Sequence, residues 1–97
     1  IYLLLYEYIL AFCMGIYLTL FTYMHAGIEM GIAPKDAMKM VAQSLEGAAE
    51  LLLNKETHPS VEIDKVTTPG GITIKGINEL EHAGFTSAVI KAMKASK

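Results

Sequence analysis

The first 24 residues carry one charge, Glu7, and otherwise run through Leu3-Leu4-Leu5, Ile9-Leu10-Ala11-Phe12 and Ile16 to Phe21. No other stretch restricts the fold as tightly. A tract of this length and polarity predicts helix, and a helix that is apolar all round needs cover on every side. A bilayer or another protein surface would supply it. Length alone fits a membrane span. Against a span stand Glu7 within the tract, tyrosines at positions 2, 6, 8, 17 and 23 instead of two interfacial belts, Gly15 near the middle, and no flanking Lys or Arg. A secretory signal fits poorly too, because a basic start and a small-residue cleavage site are missing. The tract therefore reads as apolar lead-in and interface helix over residues 1–24, and not as a membrane span. Gly15 is expected to divide it into a short first element and a helix from about Ile16 to about Met30.

Composition points the same way. The 97 residues make one domain with a modest core of its own, yet 53% of them are hydrophobic and only 19% charged. That balance implies apolar surface which one small globule cannot hide, and a partner chain is the expected cover. The net charge of -2 and the scattered lysines exclude a basic stripe of the kind that binds nucleic acid. The single cysteine, Cys13, can form no internal disulfide and fits a reducing, cytoplasmic setting or a buried thiol. The chain begins at Ile1 without an initiator methionine, as expected for part of a longer polypeptide.

Beyond the tract the sequence reads as helices and turns. Gly31 is placed to cap the first long helix and Pro34 to open the next. From Lys35 to Asn54, Met38, Val41, Leu45, Ala48 and Leu52 recur at steps of three and four, while Asp36, Lys39, Gln43, Glu46 and Glu50 mark another face. The small residues Ala37, Ala42, Gly47, Ala48 and Ala49 would let a neighbouring helix approach closely, and Leu51-Leu52-Leu53 calls for a partner surface. Pro59 opens a short helix through Val61, Ile63 and Val66. A helix over Thr73 to Ala83 carries Ile74, Ile77 and Leu80, with Gly84 as its cap. A last helix starts at Thr86 or Ser87, with Ala88, Val89, Ala92 and Met93 inward. No strand alternates, so the expected fold is all-α, a bundle of about five to six helices, with residues 25–97 as its core.

Between the last two long apolar stretches lies Val66-Thr67-Thr68-Pro69-Gly70-Gly71-Ile72-Thr73-Ile74-Lys75-Gly76. Pro69 fixes its own φ and pushes Thr68 out of the α region, while Gly70 and Gly71 tolerate positive φ or a close approach to backbone. A helix launched from this turn presents unpaired N–H groups and its positive dipole end, which favour an anion, and Thr68 and Thr73 add hydroxyls. A small carboxylate or phosphate is the ligand class implied. The alternative is a turn whose threonines merely cap the helix.

Other chemistry finds little support. No Gly-x-Gly-x-x-Gly is present, and although Gly71 and Gly76 match a Walker spacing, Ile77 and Asn78 stand where Lys and Ser or Thr are required. His25 and Glu29 are four apart on a helix with no third ligand spaced to join them, so no metal site is expected. His58 reads as a loop residue and His82 as an exposed helix residue. Cys13 has no neighbouring His or basic group to activate it.

Asp64-Lys65-Val66-Thr67-Thr68-Pro69-Gly70-Gly71-Ile72-Thr73, followed by Gly76-Ile77, Leu80-Glu81 and Gly84-Phe85, resembles the signature of the C-terminal domain of pyrroline-5-carboxylate reductases. Ala26 to Ile32 and Gln43 to Leu53 resemble that family's two long core helices, so the likeness covers about residues 24–96. Two departures stand out. The family usually leads into its first long helix with Gly-Ser-Gly-Pro-Ala-Tyr, where this chain has Cys13-Met14-Gly15-Ile16-Tyr17, and it often has Thr or Ala at the position of Ile72.

The resemblance implies an enzyme of proline biosynthesis that reduces 1-pyrroline-5-carboxylate with NADPH or NADH. It implies a nucleotide-binding Rossmann domain ahead of this helical domain, which would bind most of the cofactor and without which this stretch is inactive. It also implies an interlocked homodimer or higher homo-oligomer. Carried onto this sequence, Val66, Thr68, Pro69, Gly70, Gly71, Ile72 and Thr73 form the substrate loop. Backbone amides around Thr68, Gly71, Ile72 and Thr73 would hold the carboxylate, and Thr73 would be the catalytic hydroxyl near the imine nitrogen. A non-catalytic helical interaction module and a membrane-anchored helical protein are the competing readings.

Overall fold

In the computed structural model, which describes residues 2–96 and side chains from Tyr6 onward, five helices follow one another: α1 (Tyr2–Glu29), α2 (Pro34–Lys55), α3 (Pro59–Val66), α4 (Ile72–His82) and α5 (Phe85–Ala95). The described residues include no strand.

α1 is continuous over 28 residues, so Gly15 does not divide it. A glycine inside a helix costs only about 1 kcal/mol relative to alanine, which the surrounding leucines, tyrosines and methionines readily offset. Thr19 and Thr22 donate their hydroxyls to the carbonyls of Gly15 and Leu18 at 2.8 and 2.9 Å, which hides two polar groups along an apolar helix.

Gly31 ends α1 as expected. With φ 101 it takes the left-handed conformation, Ile32 N–H donates to the Gly27 carbonyl at 2.9 Å, and Gly31 N–H donates to Ile28 at 3.0 Å. This pair of bonds is a Schellman closure. Pro34 then opens α2, and the two helices fold back on each other as a hairpin. They are closest near the turn. A Cβ placed on Gly27 would lie 3.5 Å from that of Ala37 and 3.6 Å from Ile32 Cδ1, so glycine and alanine let the backbones approach. Ala37, at 2% exposure, is the one fully buried hydrophobic residue among those described.

The expected inner faces are only partly covered. On α2, Val41 and Leu52 are half-buried, while Met38 at 56% and Leu45 remain exposed; on α5 only Met93 of the four expected inward residues is half-buried. Cys13 is exposed as well. The accessible surface of 8219 Å² exceeds by about 2,700 Å² what a folded monomer of this mass usually shows. The radius of gyration, 15.2 Å, likewise exceeds the roughly 12.5 Å of a compact domain of this length.

α5 begins at Phe85 and not at Thr86 or Ser87. Gly84, at φ 84, follows the end of α4 and directly precedes α5, donating to Glu81 and accepting from Ala88, so no linker residues are left for a later start. The Thr86 hydroxyl donates instead to Glu81 Oε1 at 2.7 Å across this corner. α5 touches α4 and α1.

Candidate functional site: the turn from α3 to α4

The turn is built from both sides. His58 is the N-cap of α3, its Nδ1 accepting from Ser60 N–H at 3.2 Å, so this residue assigned to a loop fixes a helix start. The Thr57 hydroxyl donates to Glu62 Oε1 at 2.7 Å, and Lys65 Nζ reaches the same oxygen at 3.3 Å. Thr57 and then Lys65 hold the Glu62 carboxyl below the usual carboxylate range. At the other end of α3, Thr67 closes the helix on the Asp64 carbonyl with its N–H at 3.3 Å and its hydroxyl at 3.0 Å.

Thr68 to Gly71 form a tight turn in which Gly71 N–H donates to the Thr68 carbonyl at 2.9 Å. Pro69 occupies the second position and Gly70, at φ 71, the third, the arrangement a type II turn requires. Gly71 serves a different purpose. Its φ of -73 suits any residue, but an added Cβ would run into the Thr68 hydroxyl and come within 3.0 Å of the Thr68 carbonyl oxygen.

α4 starts at Ile72 with Gly71 as N-cap and no side-chain cap. The threonines therefore do not fill the helix start. Of the amides expected to face an anion, that of Gly71 is already bonded within the turn, which leaves Ile72 and Thr73 at the head of the helix. Thr68, Pro69, Gly70, Ile72 and Thr73 are exposed, Gly71 is half-buried, and Val66 at the end of α3 is 58% exposed. They form one strip of the chain, consecutive along the turn and the two helix ends that flank it. Two grooves lie elsewhere: one of about 620 Å³ runs between α1 and α2 past Leu20, Tyr23, Met40 and Val41, and a niche of about 220 Å³ lies under α3 against Leu51 and Leu52.

Elsewhere the chemistry is sparse. His25 stacks on Phe21 with ring centroids 4.0 Å apart, and no three His, Cys, Asp or Glu side chains among the described residues gather to hold a metal ion. Thr57, His58 and Thr67 are the residues shaping this strip that the sequence alone did not single out. Their signals are local: a hydroxyl five residues before Glu62, a ring acceptor before Pro59, and a threonine three residues after Asp64.

Known proteins are similar to this chain in sequence and in fold. The sequence profile described as "Pyrroline-5-carboxylate reductase dimerisation" matches residues 11–97. Pyrroline-5-carboxylate reductase 1 of Dictyostelium discoideum is 54% identical over 70 residues, which is 72% of this chain and 13% of that protein. Pyrroline-5-carboxylate reductase 2 of the same organism is 48% identical over 71 residues, or 73% of this chain and 24% of the relative. The chain thus spans a quarter or less of the length of these relatives. The crystal structure of Plasmodium falciparum pyrroline carboxylate reductase with NADP bound superposes with a TM-score of 0.81 at 27% identity, covering 84% of this chain and 31% of that one. On this profile match over most of its length, the chain belongs to the pyrroline-5-carboxylate reductase dimerisation family.

Proposed function

We propose that this chain is the dimerisation and substrate-binding part of a pyrroline-5-carboxylate reductase, which reduces the ring imine of 1-pyrroline-5-carboxylate to L-proline with NADPH or NADH. The observation that carries the reading is the uncapped start of α4 behind the Thr68–Gly71 turn, in a chain of this family. The substrate's carboxylate suits the amides of Ile72 and Thr73 and the positive end of the helix. Val66, Pro69 and Gly70 border the same strip, with the Thr68 hydroxyl beside it. Thr73, the second residue of α4, has its hydroxyl in reach of a ring seated there. A free hydroxyl is too weak an acid to protonate alone near neutral pH, so Thr73 orients the imine nitrogen or relays a proton through water.

The described residues do not fit the dinucleotide: they form no strand and have no Gly-x-Gly-x-x-Gly. In this reading the nicotinamide is bound by a nucleotide domain elsewhere in the complete polypeptide, and this part supplies the substrate half of the site. The Plasmodium falciparum relative was solved with NADP bound, which supports use of a nicotinamide cofactor, and this chain covers 31% of it.

The partner is a second copy of the chain, in a homodimer or higher homo-oligomer. The apolar groove between α1 and α2 and the exposed surface of α1 are the faces it would cover. Tyr6–Glu29 is long and apolar enough to cross a membrane. The family profile nevertheless starts at residue 11, inside α1, which favours an interface helix. An exposed free thiol at Cys13 accords with a reducing cytoplasm.

Thr73→Ala in the full-length protein tests the reading. Loss of a hydrogen bond made in the transition state should lower kcat/KM for 1-pyrroline-5-carboxylate by about 10- to 100-fold. Unchanged turnover and affinity would instead favour a helical interaction module that keeps the fold without the chemistry.

A further inference from the structure

We infer that Thr67 is a positioning residue of the substrate loop: its hydroxyl sets the angle at which α3, and with it Val66, meets the Thr68–Gly71 turn. The inference rests on the functional reading above. α3 buries none of its residues, so its ends fix it more than its face does. Its start is held by the His58 cap and by the contact of Thr57 with Glu62. Its end is closed by Thr67. There the backbone bond to the Asp64 carbonyl is long, 3.3 Å, and the half-buried Thr67 hydroxyl reinforces it on the same oxygen at 3.0 Å.

The segment from Thr68 to Gly71 is stiff. Pro69 fixes one φ and restricts Thr68, the Gly71 to Thr68 bond closes the turn, and Gly71 joins α4 directly. Thr67, with φ -98 and ψ 103, is the one residue between α3 and this rigid unit. A change at its dihedrals swings Val66 relative to the amides of Ile72 and Thr73. Thr67 touches no reacting atom and acts through Val66 and the turn.

The test compares Thr67→Val, which keeps the shape and loses the hydroxyl, with Thr67→Ser, which keeps the hydroxyl, in the full-length enzyme. A lost hydrogen bond of ordinary strength predicts that KM for 1-pyrroline-5-carboxylate rises roughly three- to tenfold in Thr67→Val. KM for the nicotinamide cofactor stays at the wild-type value, and Thr67→Ser restores the substrate KM. A Thr67→Val enzyme with wild-type substrate KM overturns the positioning role. So does one whose kcat and thermal stability fall together at constant KM, which marks a purely structural hydroxyl. Absence of any turnover in the wild-type enzyme overturns the functional reading, and this inference with it.

Discussion

At Gly70 and Gly71 two adjacent glycines are required for unlike reasons, and substitution separates them. Gly70 sits at φ 71, where an L side chain costs about 1–2 kcal/mol, so Gly70→Ala should lower stability by that amount in urea unfolding. Gly71 has an ordinary φ but no room for a Cβ beside Thr68. Gly71→Ala should therefore displace the Thr68 side chain and weaken substrate binding more than it weakens folding, a difference that KM and the unfolding midpoint read separately. Glu62 gives a pH prediction. The Thr57 hydroxyl, and then Lys65, depress its carboxyl in the folded chain. The stability this contributes is present above the unfolded pKa and is lost as pH falls through the folded one. In Thr57→Val the Glu62 carboxyl should titrate higher by NMR, and stability should fall less steeply with acid. The Pro-Gly-Gly turn was legible because Pro69 fixes its own φ and Gly70 admits the positive φ that a type II turn needs. The Thr57 and Thr67 hydroxyl bonds were not, because a threonine in a sequence does not show which carbonyl or carboxylate it will reach.

Among the elements, α2 was the easiest to read, since Gly31 and Pro34 punctuate its start and its apolar residues keep helical spacing. α1 was read as two pieces because one glycine was weighed without the long apolar helix around it. The inward faces of α2 and α5 were misjudged for a more general reason: periodicity identifies an apolar face, but not whether this chain or another covers it. The contact that joins α1 to α2 is specific enough to test. Ala37→Leu would place a branched side chain where Gly27 and Ala37 now meet, and should cost about 1–3 kcal/mol as the helices are forced apart. His58→Ala removes the N-cap of α3 and should cost about 1 kcal/mol, seen first as faster amide exchange between Ser60 and Glu62.

For the molecule as a whole, the surplus of accessible surface and the lack of a closed core describe half of a structure. If two copies each cover their excess of about 2,700 Å², the interface falls at the upper end of the range for obligate dimers. The proposed site has the same incompleteness, with the strip proposed to bind the carboxylate exposed and no dinucleotide cradle among the described residues. The second kind belongs to the proposed nucleotide domain elsewhere in the polypeptide; the first is accounted for if the apolar surface of α1 and the α1–α2 groove form an interface between chains. Sedimentation equilibrium in detergent-free buffer tests this most directly. The expected result is a soluble particle of twice the 10.6 kDa chain mass, or a higher multiple. A stable monomer, or a chain that stays in solution only with detergent, would contradict it.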